Sequence, residues 1–140
     1  MKGIKMPLGK LRIGDSFSVR RWWGKRQIWR VTGVDKHFGD VPVNQVSRTG
    51  EKPLHAHDRF WPADRQVRFI RHTVPVPGEW ILVEELKVGD VFRVEEAGDD
   101  WMITATGRDF FRSRNVVAKY EAYAGRFVSV LYVGNAKDKQ

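Results

Sequence analysis

The sequence predicts a mainly β protein, built as two small barrels or strongly bent sheets in tandem, with at most one or two short helices. Three observations support this fold class. Apolar and polar residues alternate over short segments bounded by turn residues, which is typical of half-buried strands. A nine-residue pattern occurs twice, and a proline-containing segment separates the two copies. We therefore expect two copies of one small domain.

The internal repeat relates Leu11–Val19 to Leu86–Val94, with apolar residues matching apolar residues and Gly-Asp matching Gly-Asp. A looser match relates 28–32 to 100–104, and it places Trp29 opposite Trp101. The spacing of 75 residues between the copies is too long for one solenoid unit. Between the copies, Pro75 and Pro77 fix the backbone of a short, stiff connector. The predicted domains are residues 1–74 and 75–140.

The first unit is expected to begin with a β-hairpin. One strand covers roughly 16–20 and its partner roughly 27–34, with Gly24 in the turn. Because side chains alternate between the two faces of a strand, one face should be directed inward. That inward set is Phe17, Val19, Trp29 and Val31. Trp29 is therefore expected in the core.

The second unit should repeat the hairpin, with strands over 91–95 and 101–106. In both copies the Gly-Asp pair that precedes the hairpin is expected to form a turn in which the aspartate accepts local hydrogen bonds. The segment 115–124 is compatible with a short helix. It is also compatible with a strand, because Val116, Val117 and two tyrosines favour strands.

The pattern Leu-x-Val/Ile-Gly-Asp-x-Phe-x-Val, followed by a turn and an aromatic-led strand, resembles the opening hairpin of SH3-like and related small β-barrels. The resemblance covers both halves and implies two small SH3-like barrels or strongly bent sheets in tandem. The chain is also similar in size and in its lack of cysteine to small accessory proteins of bacteriophages. Neither resemblance implies a catalytic activity.

The positive charge is concentrated in the first unit. Residues 1–75 contain sixteen lysines or arginines and six acidic residues, whereas residues 76–140 contain nine and eleven. Such asymmetry favours a surface directed at an anionic partner, although an ordinary solvated surface would look similar.

The most basic and aromatic window is Arg20–Arg30, with five cationic side chains and three tryptophans. Trp22 and Trp23 have no counterpart in the second copy, which has Glu95-Glu96-Ala97-Gly98 there. Cations and aromatic rings together favour nucleic-acid binding, because cations contact phosphates and aromatic rings stack on bases. They also suit a protein interface, where Trp and Arg are favoured. A third interpretation is that one tryptophan covers the end of the barrel with arginines stacked on it.

A second basic and aromatic patch surrounds Arg59-Phe60-Trp61, and the alternation in 65–71 directs Arg68 away from the core. Arg108, Arg112 and Arg114 form a weaker third candidate, and solvated arginines beside buried aromatics would explain both patches equally well. The predicted binding residues are Arg20, Arg21, Trp22, Trp23, Lys25, Arg26, Arg30, Arg59, Trp61, Arg65, Arg68 and Arg71.

Other chemistry has little support in the sequence. His55 and His57 could share one face of a strand and bind an ion, but a polar loop explains them better, so no metal and no cofactor are expected. No cysteine, nucleophile elbow or phosphate-binding glycine loop is present, so we expect no enzyme activity. No apolar run is long enough to cross a membrane and no signal peptide is recognisable, so a cytoplasmic location is expected.

The leading hypothesis is a non-enzymatic protein that binds DNA or RNA through the basic, tryptophan-rich hairpin tip. The alternative is a regulatory or inhibitory protein of the bacteriophage type. In that case Trp22 and Trp23 would anchor it to a host protein machine, such as RNA polymerase or a defence nuclease complex.

Overall fold

The computed structural model describes residues 4–20, 24–33, 39–72, 74–107, 110–125 and 129–135. Over these residues the protein is mainly β, with two six-stranded antiparallel sheets and two single-turn 3-10 helices. The predicted fold class is therefore confirmed. The chain divides into two compact units, Met1–Thr73 and Val74–Gln140.

The first unit contains six strands and one 3-10 helix, Leu8–Lys10. The strands are β1 (Lys5–Pro7), β2 (Ser16–Arg20), β3 (Arg26–Val31), β4 (Asp40–Val46), β5 (Arg59–Pro62) and β6 (Gln66–Arg71). Their order in the sheet is β1-β6-β2-β3-β4-β5. The first and last strands of the unit are thus neighbours, which brings the two ends of its sequence together.

The second unit has the same topology. Its 3-10 helix is Val83–Glu85. Its strands are β7 (Trp80–Leu82), β8 (Asp90–Arg93), β9 (Trp101–Thr106), β10 (Phe110–Asn115), β11 (Glu121–Gly125) and β12 (Ser129–Asn135). Their order in the sheet is β11-β10-β9-β8-β12-β7. Read from the β7 edge, with β7 matched to β1, β8 to β2 and so on, this is the strand order of the first unit. The repeat seen in the sequence is therefore a repeat of the fold.

The core of the first unit is built from the side of the hairpin that the alternation directs inward. Phe17 lies opposite Trp29 in the β2–β3 ladder, and both rings are buried, with Trp29 only 2% exposed. The buried apolar cluster is Leu8, Phe17, Val19, Trp29, Val31, Val43 and Val67. The predicted inward set is thus confirmed, and Trp29 belongs to the core.

The second unit repeats this arrangement with Phe92 opposite Trp101. Trp101 is partly buried and packs against a cluster of buried residues. That cluster is Ile81, Val83, Leu86, Phe92, Ile103, Phe111, Val130 and Tyr132. Equivalent aromatic pairs therefore anchor the two hairpins.

The Gly-Asp turns have the same geometry in both units. Asp15 accepts a hydrogen bond from the Arg12 backbone N–H at 2.8 Å, and Asp90 accepts one from the Lys87 N–H at 2.8 Å. Both carboxylates are 1% exposed, and Gly14 and Gly89 precede them with φ of 91° and 94°. The turn hydrogen bonding predicted for both aspartates is present.

Each buried aspartate also bonds to a residue at the end of its unit's last strand. His72 Nδ1 lies 3.0 Å from Asp15 Oδ1, and Asn135 Nδ2 donates to Asp90 Oδ1 at 2.8 Å. The aspartate thus connects the start of the hairpin to the last strand, because His72 and Asn135 follow equivalent positions of β6 and β12.

The segment 115–124 forms a turn followed by a strand and contains no helix. Asn115 ends β10, and its side-chain oxygen accepts hydrogen bonds from the backbone N–H groups of Val117 and Ala118. This capping of the turn by an asparagine reverses the chain into β11. The strand alternative is therefore correct from Glu121 onward, and the helical alternative is wrong.

Candidate nucleic-acid interface

Two adjoining depressions lie on the surface of the first unit. The larger, of about 620 Å³, is lined by Val19, Arg20, Gln27, Trp29, Gln45, His55, Arg59, Trp61 and Arg65. The smaller, of about 270 Å³, is lined by Lys5, Ser18, Val19, Arg20, Arg26, Arg65, Gln66, Val67 and Arg68. Because they share Val19, Arg20 and Arg65, the two depressions form one continuous surface.

This surface is strongly cationic. We call its six cationic residues the basic face; they are Lys5, Arg20, Arg26, Arg59, Arg65 and Arg68. Five of these residues are exposed and Arg68 is half-buried. Among the residues that the structure describes, no aspartate or glutamate lines either depression. The basic face therefore presents its charge to solvent without a carboxylate inside the depressions.

Two pairs of like charges face each other directly across strands within the basic face. Arg20 is the partner of Arg26 in the β2–β3 ladder, and Lys5 is the partner of Arg68 in the β1–β6 ladder. Like charges at directly opposed positions destabilise a sheet. A sheet that holds two such pairs in adjoining positions has an unfavourable electrostatic arrangement, which an anion would relieve.

Arg26 is held in place by the body of the sheet. Its Nη1 donates a hydrogen bond of 3.0 Å to the hydroxyl of Ser18, which is buried. A hydroxyl fixes the direction of the guanidinium without neutralising its charge. Arg26 is thus oriented while it stays available to an anion.

The second unit lacks this arrangement at the equivalent positions. Alignment of Phe17 with Phe92 places Arg93 at the position of Ser18, and Arg93 Nε pairs with Asp100 Oδ1 at 2.5 Å. The same alignment places Glu95 at the position of Arg20. At these two aligned positions the second unit therefore has an ion-paired arginine and a glutamate, where the first unit has a serine and an arginine.

The second patch predicted from the sequence joins the hairpin through aromatic contacts. Trp61 on β5 lies 4.4 Å from Trp29, centroid to centroid, and the Arg65 guanidinium carbon lies 3.9 Å from the Trp61 centroid. Because Trp29 belongs to the hairpin and Arg65 precedes β6, these contacts bring both basic segments into one surface.

The histidine-containing loop borders this surface and is fixed by Asn44. The Asn44 side chain, which is buried, donates to the His55 carbonyl oxygen at 3.0 Å and to Asp58 Oδ1 at 3.1 Å. Residues 54–57 form a series of bends and no strand, so His55 and His57 do not share a strand face. Within the described ranges, no group of three or more His, Cys, Asp or Glu side chains is arranged to hold a metal ion.

A third depression, of about 710 Å³, lies at this loop and is lined by residues 55–61. It shares His55, Arg59 and Trp61 with the larger depression of the basic face. Phe60, in this third depression, is 56% exposed. The basic face thus continues toward the loop, where one exposed ring and two imidazoles are added.

The predicted binding residues fall into three groups by their position. Six of them, Arg20, Arg26, Arg59, Trp61, Arg65 and Arg68, line the two depressions. Lys25 is exposed beside the hairpin turn and Arg71 is half-buried at the end of β6, and neither lines the depressions. Arg21, Trp22 and Trp23 lie outside the described residues.

Arg30 is buried and lies away from the surface, since its side chain is 4% exposed. Burial lowers the pKa of Arg30 to about 10, and the nearby Asp58 carboxylate acts in the opposite direction. At neutral pH the side chain is therefore a buried cation inside the first unit. It is too deeply buried to contact a partner, and the predicted contact role does not fit its position.

Lys5 is a member of the basic face that the sequence prediction missed. It precedes the repeat, and only the pairing of β1 with β6 places it opposite Arg68, 63 positions along the chain. No local pattern around Lys5 indicates this pairing, because short edge strands have a weak sequence signal.

The third candidate patch lies on the sheet of the second unit and is only partly described. Arg108 lies outside the described residues. Arg112 is opposite Tyr123 and Arg114 is opposite Glu121 in the β10–β11 ladder. A carboxylate directly opposite Arg114 makes this patch electrostatically mixed, in contrast to the basic face.

Comparisons of the chain with protein-family models, with curated proteins and with solved structures gave no match. In the parts of the chain that are described, no helix is long and apolar enough to cross a membrane.

Proposed function

We propose that the first unit binds nucleic acid through the basic face. The observation that carries this proposal is the gathering of six cationic side chains from five strands and one turn around two joined depressions with no carboxylate in their described lining. Cations arranged in this way neutralise successive phosphates and release the counterions that surround them. The opposed pairs, Arg20 with Arg26 and Lys5 with Arg68, support the same ligand because each pair gains from the phosphates of a polyanion.

The salt dependence of binding tests this proposal. If the basic face contacts about six phosphates, the affinity of the protein for duplex DNA should fall roughly a thousandfold between 50 mM and 200 mM salt. On logarithmic axes, the slope of affinity against salt should be about −5. The measurement is fluorescence anisotropy with a labelled 20-base-pair duplex of mixed sequence. Absence of binding at 50 mM salt would refute the proposal.

A neutralised variant and a matched control identify the surface. The variant replaces three cations of the basic face: Lys5→Gln, Arg20→Gln and Arg26→Gln. The control replaces three exposed cations elsewhere: Lys10→Gln, Arg48→Gln and Lys87→Gln. Both variants lose the same net charge. We expect the slope to change from about −5 to about −3 only in the first variant, because about three phosphate contacts are then lost. Equal effects in both variants would show that net charge, and not the basic face, causes binding.

The protein-partner alternative predicts a different behaviour. An interface anchored by tryptophans depends on buried apolar area and loses far less affinity with added salt. Pull-down from a lysate with and without nuclease treatment separates the two. A partner that stays bound after nuclease treatment and in 200 mM salt would favour the alternative over the nucleic-acid proposal.

A further inference from the structure

Trp61, which lines the larger depression, is packed against three other side chains of the first unit. The Trp29 ring lies 4.4 Å from Trp61 at an interplanar angle of 48°, and the Arg65 guanidinium carbon lies 3.9 Å from the Trp61 centroid. Phe17 adds an edge contact at 5.9 Å. Trp61 is therefore half-buried, and much of its ring is occupied by other side chains of the protein.

The other aromatic side chains near the basic face are no better placed for stacking. Trp29 is 2% exposed, and its Nε1 donates a hydrogen bond of 3.3 Å to Gln27 Oε1. Phe60 is 56% exposed and lines the third depression, but it lines neither of the two depressions of the basic face. In the described part of the chain, neither depression is thus lined by an exposed indole or phenyl ring.

The cations, in contrast, are arranged for phosphate. Arg20 and Arg26 are opposed across a ladder, as are Lys5 and Arg68, so their Cα atoms are about 4.5–5.5 Å apart. Two cations at this spacing can contact neighbouring phosphate groups of one strand. The contact with the Trp61 ring orients the guanidinium plane of Arg65, and a planar guanidinium matches the geometry of phosphate oxygens.

We propose that the basic face binds the sugar–phosphate backbone and does not contact the bases, so that its ligand class is any continuous phosphodiester chain, double-stranded or single-stranded. This inference rests on the proposed function and narrows it. It assigns Trp61 to holding Arg65 and not to stacking on a base. It also predicts that affinity follows the number of phosphates and is indifferent to base identity and base pairing.

Three DNA ligands with the same fluorophore test this inference on the full chain. They are a mixed-sequence 20-nucleotide single strand, an abasic deoxyribose-phosphate strand with the same number of phosphates, and the corresponding duplex. At 50 mM salt we expect the abasic strand to bind within about threefold of the normal strand, and the duplex to bind at least as tightly as either. Arg20→Gln should weaken binding to normal and abasic strands by the same factor.

The outcomes separate this inference from the proposal on which it rests. If none of the three ligands binds, the proposed function itself fails. If the normal strand binds and the abasic strand binds tenfold or more weakly, nucleic-acid binding stands but the backbone assignment is overturned, because stacking on an aromatic ring is then required. A duplex tenfold weaker than the normal strand overturns the assignment in the same way. Repeating the measurement with Trp22→Ala/Trp23→Ala and with Phe60→Ala would then identify the stacking ring.

Discussion

Reversal of the charge of Arg20 should stabilise the protein while it weakens binding. Arg20 is directly opposite Arg26 in the β2–β3 ladder, and both residues are exposed. In Arg20→Glu the repulsive pair becomes an attractive one. The second copy of the repeat has Glu95 at the aligned sequence position, which lies beyond the end of β8 at Arg93.

The size of the stability effect follows from the exposure of the pair. Opposite charges across a ladder contribute roughly 0.2–1 kcal/mol, and like charges cost a similar amount. Changing the sign should therefore raise the free energy of unfolding of the first unit by about 1 kcal/mol at low ionic strength. For a unit of this size, that corresponds to an increase in Tm of roughly 4–8 °C. Salt should reduce the gain, since the Debye length is about 10 Å at 0.1 M.

The effect on binding has the opposite sign. Arg20 lines both depressions of the basic face, and a glutamate there removes one phosphate contact and adds a repulsive charge. We expect at least about a tenfold loss of affinity for duplex DNA at 0.1 M salt, because a hydrogen bond to a charged group contributes roughly 1.5–3 kcal/mol. The slope of affinity against salt on logarithmic axes should also become less steep by about 1.

Two measurements on one set of proteins check this prediction. Urea unfolding followed by tryptophan fluorescence gives stability at 20 mM and 500 mM salt, and anisotropy with the labelled duplex gives affinity. Lys87→Glu is the matched control, because it changes the net charge equally at an exposed site of the second unit. A variant that is less stable than the wild type would refute the proposed repulsion. Unchanged affinity would refute the assignment of the surface.

The remaining predictions concern the buried residues Arg30 and Asp15 and the exposed His72, which bonds to Asp15. Arg30→Met should leave the affinity for duplex DNA within about twofold, because the side chain is 4% exposed; a tenfold loss by anisotropy would return Arg30 to the interface. The pKa of Arg30 is about 10 in the folded protein, against an ordinary value of 12.5. Between these two values the folded state binds fewer protons than the unfolded state, so the folded state gains stability as the pH rises. The free energy of unfolding of the wild type, relative to that of Arg30→Met, should therefore be constant below about pH 9 and rise above pH 10. Asp15→Ala should cost about 2–3 kcal/mol in urea unfolding, since it removes the acceptor of the Arg12 N–H and of His72; a loss below 0.5 kcal/mol would contradict this role. His72→Asn should change stability by less than about 1 kcal/mol, because Asn135 makes the equivalent bond in the second unit; a loss as large as that of Asp15→Ala would show that the imidazole is required.

The part of the fold that follows from local patterns could be predicted. The alternation around Phe17 and Val19 identifies a strand with one inward face, and the repeat identifies Trp29 as a core residue through Trp101. The Gly-Asp turns could also be predicted, because the backbone angles and the aspartate hydrogen bonds involve residues within three positions of each other. The segment 115–124 was ambiguous, since its composition allows both a helix and a strand, and the capping of the turn by Asn115 is the local feature that distinguishes them.

The sequence by itself determined the tandem β architecture, the inward side of each hairpin and the concentration of charge in the first unit. Only the tertiary structure decided which cations act together. It placed Lys5 opposite Arg68, brought the patch around Trp61 onto the hairpin and buried Arg30. The physical reason is that alternation along a strand is a local property of the backbone, whereas a charged surface depends on which distant strands pair. Pairing is fixed by the packing of the whole core, and no single segment contains that information.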